Sequence, residues 1–454
     1  MGQSSQASGG PAGGTDFVPK KAGTSWLIAI VLLVVGLLLG TALGYYVVPR
    51  PEARPSLIVI GPWAGTEMNA FLPVLAAFSA RTGIDVTYRI YRQEALTPLL
   101  PTQFAAKQTP GDVIFMVTSF IKAHGGATGD VVDVTDLVKP SDFKVGTTAG
   151  TDLLAPVTDG SGKIWGGIYT GKVKPGFWYR QSFFTAHGLS PPTTWAQFQS
   201  LLASIKAISG VTAPIVTGDG VGWPISDVTE HFIATYGGAS MHRGLTGNRT
   251  TQTVTWTSPS VRAVFANRIV PLLQAGDFSE PLTADSVALT RWWNGEFGLY
   301  FMGSWIGTWL QGLGLNPAPD LNDLRVFPLP EETGITPGVV FAGDYMFIPK
   351  YTTRLDAARQ LFSFLISVDG QNAQIAQGGH VATRVGVSNT SYPPGDLAVA
   401  NSLQGKEVLV DLDDTVGGTF QTTFWSQLKG LWTSPDPAGD LDGILAAIQA
   451  AVPP

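Results

Sequence analysis

The chain has 454 residues, enough for two or three domains with large hydrophobic cores. Only 14% of the residues are charged, the formal net charge is −6, and no basic patch or stripe is visible, which argues against a nucleic-acid partner. Because cysteine is absent, the sequence excludes disulfides, thiolate chemistry, cysteine-ligated metals and a lipid-modified cysteine anchor.

The first 56 residues differ in composition from the rest of the chain. Residues 1–25 are rich in Gly, Ser, Ala and Pro without apolar periodicity, which predicts a disordered tail. Residues 26–48 are almost wholly apolar and uncharged, and they are long enough for the ~20 residues that a transmembrane helix needs. We therefore predict a single transmembrane anchor there, followed by a proline-stiffened linker at residues 49–56. Export with cleavage of this segment is the alternative.

Alternating strands and helices are predicted from residue 57 onwards. Apolar runs and three- and four-residue spacings predict strands at 57–60, 84–90 and 112–116 and helices at 67–81 and 94–107. This order is typical of the start of a doubly wound parallel sheet. Trp63 and the pair Thr118-Ser119 each follow a predicted strand end, so we expect them at the same carboxyl edge, where open α/β sheets bind ligands.

A second α/β series follows and does not repeat the first. It contains predicted strands at 164–169, 177–179, 213–216, 297–302, 325–329 and 339–348, and helices at 194–207, 259–273, 283–293, 355–367, 419–431 and 441–450. The strand at 297–302 is apolar almost throughout, as expected when both faces of a sheet are covered. Gly303-Ser304-Trp305 lies at its carboxyl end, which predicts an indole ring at the mouth of a cleft.

The sequence lacks the common motifs of nucleotide, metal and serine-hydrolase chemistry. The glycine-rich turn at 218–222 has neither Gly-x-Gly-x-x-Gly nor a Lys-Ser/Thr ending. The five histidines show no metal-ligand spacing, and no Gly-x-Ser-x-Gly elbow is present, so we predict no metal, no cofactor and no catalytic residue. Glycoside hydrolysis, which needs a pair of carboxylates, remains an alternative. The candidates are the carboxylates near predicted strand ends, namely Glu67, Asp219, Asp227, Glu296 and Asp344.

Tryptophans give the strongest indication of function. Trp63, Trp223, Trp305 and Trp425 fall at loop or helix-start positions, outside the apolar stripes of predicted helices. An indole ring stacks against the C–H groups of a sugar while nearby polar groups bond to the sugar hydroxyls. Four such rings at the edges of one cleft therefore predict carbohydrate binding.

Several blocks resemble, in their order and spacing, the carbohydrate-type solute-binding proteins of ABC importers, a family that includes maltose-binding proteins. The blocks lie at 57–63, 83–86, 111–115, 177–179, 298–305 and 343–350. The resemblance covers about residue 57 to the end and implies a two-lobed, periplasmic-binding-protein-like α/β fold, with hinge strands between the lobes and a ligand in the cleft. By this resemblance, lobe 1 comprises residues 57–167 and 344–388, and lobe 2 comprises residues 168–343 and 389–454.

The resemblance also implies ligand contacts. By position these are Trp63, Thr118, Ser119, Trp223, Trp305 and Trp425, with Asp344 close to a crossing strand. Lys172 and Lys174 lie in the crossing segment and share one face if that segment is a strand. Either these lysines face the cleft and point an ammonium group at the ligand, in which case a sugar acid or another anionic ligand is expected, or both are solvated at a hinge.

The predicted function is therefore capture of a sugar or oligosaccharide by a membrane-tethered, extracellular component of an ABC importer. It would act without catalysis, as a monomer, and would deliver the sugar to a permease and its ATPase. A surface-anchored glycoside hydrolase is the alternative. A sensor ectodomain is a third possibility. The absence of a recognisable output domain before Trp26 counts against it.

Overall fold

The computed structural model describes residues 25–47, 55–126, 128–145, 152–403 and 406–454. It divides into two compact units, Met1–Arg54 and Pro55–Pro454. The predicted tail at 1–25 lies outside the described residues except for Ser25, and the predicted linker at 49–56 lies outside them except for its last two residues.

The first unit contains one described helix, α1, which spans Ser25–Val47. Its described side chains from Trp26 to Leu39 are mostly about half exposed. Within the part of the chain that the structure describes, no helix combines the length and the apolar character needed to cross a membrane. The transmembrane anchor predicted at 26–48 is therefore not supported.

The second unit alternates strands and helices. The strands are β1 Ser56–Gly61, β2 Asp85–Ile90, β3 Val113–Phe115, β4 Gly167–Val173, β5 Phe177–Arg180, β6 Ala213–Val216, β7 Phe278–Ser279, β8 Phe297–Phe301, β9 Leu324–Phe327, β10 Gly338–Phe347, β11 Val381–Ala382 and β12 Glu407–Val410. The helices are α2 Gly65–Thr82, α3 Gln93–Ala105, α4 Thr118–Gly125, α5 Gln181–Ala186, α6 Trp195–Lys206, α7 Trp223–Phe232, α8 Gly238–Leu245, α9 Pro259–Val264, α10 Val270–Gln274, α11 Asp285–Trp293, α12 Ile306–Gly312, α13 Leu355–Leu365, α14 Val368–Ile375, α15 Pro394–Ser402, α16 Leu412–Val416, α17 Gly418–Thr433 and α18 Pro437–Ala451. Short π-helical turns at Ile233–Gly237 and Phe265–Ile269 join α7 to α8 and α9 to α10.

The larger sheet has the strand order β11-β4-β10-β3-β1-β2, and β12 also pairs with β10. One side of this sheet, from β3 to the edge strand β2, is the predicted β-α-β-α-β opening, in which β1 runs parallel to both β2 and β3. The long strand β10 runs antiparallel to β3 and β4 and parallel to β12. The helix between β1 and β2 packs Phe71, Val74 and Phe78 inwards at the spacing that the sequence predicts, so this opening is confirmed.

The smaller sheet has the order β7-β6-β8-β5-β9. Strand β8 lies in its centre, parallel to β6 and antiparallel to β5, and all five of its residues are buried. This confirms the prediction that an apolar strand follows α11. Residues Gly303 to Trp305 then lead from the end of β8 into α12.

Two chain segments connect the sheets and create the two lobes. β4 of the larger sheet is followed directly by β5 of the smaller sheet, and β9 of the smaller sheet precedes β10 of the larger one. At the first connection Gly176 has φ +138°, and a Cβ there would come within 2.2 Å of the Phe327 carbonyl oxygen. Only glycine fits this close approach of two backbones.

The predicted fold class, two-lobed and periplasmic-binding-protein-like, is confirmed for the second unit. The exact lobe boundaries stay predictions. β4, most of which was assigned to lobe 2, and β12, also assigned there, both pair within the larger sheet. The short strand β12 was not predicted from the sequence, and β4 is followed directly by β5 of the smaller sheet.

Candidate functional site

A cavity of about 240 Å³ is lined by residues from both lobes. Its lining residues lie in the chain that follows β1 and β8, in the crossing strands β4 and β10, and in the first turns of α7 and α11. Its lining is strongly aromatic and acidic. The tryptophans are Trp63, Trp223, Trp305, Trp309 and Trp425, the acids are Glu67, Glu94, Asp227, Asp285, Asp344, Asp411, Asp413 and Asp414, and the basic residues are Arg92, Lys172 and Lys174.

Six of the eight predicted ligand contacts line this cavity: Trp63, Lys172, Trp223, Trp305, Asp344 and Trp425. Thr118 instead lines a smaller adjacent pocket of about 30 Å³. Ser119 is not part of the lining of either pocket, and its hydroxyl lies beside Gly417. The sequence therefore brings most of the predicted residues together, and their role as ligand contacts stays a prediction.

Three tryptophans form one wall of the cavity, which we call the tryptophan wall. The ring centroids of Trp223 and Trp305 are 5.8 Å apart, those of Trp223 and Trp309 are 5.9 Å apart, and those of Trp305 and Trp309 are 6.2 Å apart. Trp305 is buried, whereas Trp223 and Trp309 are half-buried and keep part of their faces accessible. Trp309 was not predicted as a site residue, although its spacing of four from Trp305 places both on one helical face.

Trp425 reaches the cavity from α17 because a glycine makes room for it. Gly222, just before α7, has φ +127°, and a Cβ there would lie 2.7 Å from the Trp425 ring. The Trp425 indole N–H donates to the Asp413 carboxylate. Trp63, by contrast, is almost fully buried, packed on Phe71 and Phe115, so it forms the floor of the cavity more than an open face.

Lys172 lies against the tryptophan wall and is not solvated. Its ammonium group donates to the Glu67 carboxylate at 2.5 Å and lies 5.3 Å from the centroid of the Trp305 ring. Glu67 also accepts a hydrogen bond from the Trp309 indole at 3.2 Å. Burial pushes the pKa of Glu67 upwards, but the charge of Lys172 and the hydrogen bonds from Lys172 and Trp309 together hold that pKa below its ordinary value.

Lys174 is more deeply buried, with only 3% of its surface exposed. Its ammonium group donates to both Asp227 and Asp411. Burial opposes the charged form, yet the two carboxylates raise the pKa of Lys174 well above its ordinary value, so it remains an ammonium ion. The expectation that both lysines are solvated at a hinge is therefore wrong, because each is paired with carboxylates that lie far away in the sequence.

The carboxylates around Lys174 form a group that we call the acidic cluster: Asp227, Glu230, Asp411, Asp413 and Asp414. Burial raises the pKa of Glu230 to about 8 and raises the pKa of Asp413 well above its ordinary value. Burial also acts on Asp411, but Lys174 lowers its pKa to about 2. The acidic cluster thus combines ionised and protonated carboxyl groups at neutral pH.

Asp344 lies on the crossing strand β10, as the resemblance implies. Its carboxylate accepts a hydrogen bond from Thr170 Oγ1 at 3.0 Å and lies 3.1 Å from His380 Nδ1. The His380 ring in turn meets Trp63 edge-on at a centroid distance of 5.6 Å. Thr170 and His380 were not predicted as site residues, because their sequence neighbourhoods show no motif.

Comparisons with known proteins agree with this geometry. A sequence profile for bacterial extracellular solute-binding protein matches residues 64–372. An uncharacterized ABC transporter extracellular-binding protein of Pyrococcus horikoshii is 43% identical over 400 residues, which cover 88% of each protein. These matches confirm the resemblance stated from the sequence, and they give no support to the glycoside-hydrolase alternative.

Solved structures extend the comparison. The GacH receptor of Streptomyces glaucescens, described unliganded and with acarbose and an acarbose homolog, has a TM-score of 0.69 at 13% identity and covers 88% of this chain and 98% of its own. Maltose-bound MalE3 of T. maritima has a TM-score of 0.68 at 17% identity and covers 87% of this chain and 98% of its own. At these identities the likeness establishes the fold alone.

Proposed function

The chain belongs to the family of bacterial extracellular solute-binding proteins, and we propose that it captures a sugar or short oligosaccharide for an ABC importer. The observation that carries this proposal is the cavity between the lobes, where five tryptophans are interleaved with carboxylates and paired lysines. Indole faces take up the C–H surfaces of a sugar ring, and charged groups bond to its hydroxyls. This mixture suits a neutral polyhydroxylated ring.

Each wall of the cavity has its own part in this proposal. Trp223, Trp305 and Trp309 stack against the sugar faces, and the Lys172–Glu67 pair presents a donor and an acceptor to its hydroxyls. Trp425 from α17 and Asp344 from β10 complete the site. Thr118 and Ser119 lie outside this lining and would contact the ligand only at the margin of the site. The volume of about 240 Å³ is below the ~300–1,000 Å³ of typical ligand pockets, which favours a monosaccharide or short oligosaccharide.

A neutral sugar is favoured over a sugar acid. The two buried lysines of the lining are each bonded to carboxylates, and the lining holds eight carboxyl groups against three basic ones. An anionic ligand would meet this excess of negative charge and would have to break an existing ion pair to gain a new one. The structural neighbours named above are described with acarbose and maltose, which is consistent with a saccharide ligand.

The proposal includes capture without chemical change of the ligand, in an extracellular setting and as a monomer. The proposal also includes delivery of the ligand to the permease and ATPase of an ABC importer, supported by the relative in Pyrococcus horikoshii that is described as an ABC transporter extracellular-binding protein. Closure of the lobes around the ligand is expected because the two sheets are joined by crossing strands.

A thermal-shift panel on the full chain tests this function. Neutral mono- and oligosaccharides, sugar acids, amino acids and peptides are compared at matched concentrations. A ligand at 100 times its Kd should stabilise the protein by roughly 2.7 kcal/mol, which raises Tm visibly. We expect the largest rise with a neutral sugar that chromatography recovers unchanged after a day. A rise only with peptides or anions, or consumption of the sugar, contradicts the proposal.

A further inference from the structure

Two buried side chains beside the cavity contact the same oxygen of Asp344. Thr170 Oγ1 donates to Asp344 Oδ2 at 3.0 Å, and His380 Nδ1 lies 3.1 Å from the same atom. Thr170 and His380 also meet each other, with 2.8 Å between Oγ1 and Nδ1. Thr170 is fully buried and His380 is 4% exposed. Neither side chain lines the cavity, so any influence on a ligand passes through a neighbour that does.

An irregularity of the larger sheet brings Asp344 and Thr170 together. Between the paired positions on either side of Asp344, β10 has this one residue, whereas β4 has two, Tyr169 and Thr170. Such a β-bulge redirects side chains and is common beside functional sites. The hydroxyl of Thr170 therefore reaches the carboxylate from the neighbouring strand, while Asp344 itself lines the cavity.

A glycine turn places His380. Gly378 and Gly379, directly before it, both have left-handed backbone conformations, with φ +86° and +75°, which glycine adopts without strain. The Gly379 N–H donates to the Asp396 carboxylate at 3.2 Å, and its carbonyl accepts from the Ser304 hydroxyl at 3.3 Å. Directly after His380 the chain enters β11, which pairs with β4. The backbone is thus held on both sides of the imidazole ring.

The contacts of the His380 ring determine the role of this group. A carboxylate oxygen accepts hydrogen bonds, so the contact with Asp344 requires a proton on Nδ1 of the ring. In a catalytic triad the hydroxyl and the carboxylate meet opposite ring nitrogens. Here the Thr170 hydroxyl and the Asp344 carboxylate both meet Nδ1. The arrangement therefore holds a carboxylate in place and does not activate a hydroxyl.

The other oxygen of Asp344 is left for the cavity. Among the described residues, the hydrogen bonds of this side chain end at Oδ2, and about 14% of the side chain is exposed. A carboxylate that two donors hold by one oxygen keeps its other oxygen in a fixed direction. An acceptor fixed in this way loses little conformational freedom when a hydroxyl binds to it.

We propose that Thr170 and His380 are positioning residues, which hold the Asp344 carboxylate so that Oδ1 accepts a hydroxyl of the bound sugar. This inference rests on the proposed function, because Asp344 needs a hydroxylated ligand to accept from. The donors come from two elements, β4 and the turn before β11, so Asp344 is oriented only when both elements are in place.

A double-mutant cycle with isothermal titration tests the positioning role on the full chain. The probe is maltose or, where another neutral sugar of the thermal-shift panel raises the Tm more, that sugar. His380→Leu removes the ring donor and should weaken binding roughly tenfold. His380→Asn places an amide donor near the position of Nδ1, so its affinity should stay within about threefold of the unaltered chain. His187→Asn, the same change at an exposed histidine, should have no effect.

The second half of the cycle separates Asp344 from the other neighbour of the ring, Trp63, which His380 meets edge-on. Asp344→Ala alone should weaken binding at least as much as His380→Leu does. In the Asp344→Ala background, His380→Leu should cause no further loss, because the carboxylate that it orients is gone. Thr170→Val, which removes only the hydroxyl, should weaken binding about three- to tenfold, and this loss should also vanish in that background.

Nitrogen-15 NMR of the histidine rings adds a measurement that needs no sugar. Of the five histidines, His380 is the one whose signals vanish in His380→Asn, and it should be protonated at Nδ1. The positioning role is wrong if Nδ1 carries no proton, if His380→Asn loses as much affinity as His380→Leu, or if the loss from His380→Leu persists without Asp344. If no neutral sugar binds the unaltered chain, the proposed function itself fails, and the role of Oδ1 fails with it.

Discussion

Lys172 and Lys174 belong to the same crossing segment, yet their surroundings differ in charge balance. Lys172 meets one carboxylate, Glu67, beside the tryptophan wall, and about 13% of its side chain remains exposed. Lys174 is enclosed by Asp227 and Asp411 within the larger acidic cluster, and only 3% of it is exposed. The first pair is neutral and reachable by a ligand, whereas the second holds together elements that are distant in sequence. One segment thus provides a binding group and a structural group.

The largest expected effect is on stability and concerns Lys174. Lys174→Met keeps the apolar stem but leaves Asp227 and Asp411 without their cation. Breaking a buried ion pair by removing one partner costs about 3–5 kcal/mol. We expect a loss of this size in the free energy of unfolding, measured by urea denaturation with tryptophan fluorescence. Lys172→Met is the matched control, with a loss at most half as large. Equal losses for the two variants would contradict the comparison.

The next effect is on ligand affinity and concerns the tryptophan wall. Trp305→Ala removes the ring that lies against both Lys172 and Trp223, so sugar affinity should fall more than tenfold, about 1.4 kcal/mol or more. Isothermal titration measures the change. Trp293→Ala, which removes a half-buried indole away from the cavity, should alter stability but not affinity. Unchanged affinity in Trp305→Ala would remove this ring from the site.

The buried carboxyl group of Asp219 predicts that the stability of the protein depends on pH. Burial raises the pKa of Asp219 to about 6, with an amide of Gly222 opposing the shift only in part. The folded protein therefore binds this proton more tightly than the unfolded chain, so stability should fall as pH rises from about 4 to about 6 and then level off. Asp219→Asn should remove that part of the slope, measured from urea midpoints across this range. An unchanged slope would show that Asp219 titrates normally.

The smallest effect distinguishes neutral from anionic ligands. Lys172→Met should weaken binding of a neutral sugar roughly three- to tenfold, the value of one or two hydrogen bonds. Because Lys172 is already paired with Glu67, a sugar acid should lose no more than the neutral sugar does. Competition titrations with both ligands measure the ratio. A selective loss for the sugar acid would mean that Lys172 recognises a negative charge.

The sequence predicted those strands and helices whose apolar pattern lies within one short segment of the chain. The apolar run that becomes β8 and the glycine turn before Trp305 are contained in a dozen neighbouring residues, so the strand and the position of the indole could both be inferred. The parallel opening of the larger sheet was predictable for the same reason, since each helix shows its apolar spacing within one segment.

Long-range pairing could not be inferred in this way. Lys174 meets Asp227 and Asp411 across 53 and 237 residues of sequence, and a single sequence does not show which distant carboxylate will neutralise a lysine. A lysine without a visible partner is expected in solvent, which is why its burial was missed. The pairing of β12 with β10 depends on the same kind of distant contact. The family resemblance predicted a ligand cleft between the lobes, but it did not predict the buried ion pairs of Lys174 with Asp227 and Asp411.

The central claim is that the cavity beside the tryptophan wall binds a neutral sugar. The most direct test is a crystal structure of the chain with the saccharide that gives the largest thermal shift. We predict a sugar ring against Trp305 and at least one of Trp223 and Trp309, with hydroxyls within hydrogen-bond distance of the Lys172–Glu67 pair. A saccharide bound elsewhere, or a cavity that takes up only an anion or a peptide, would contradict the account.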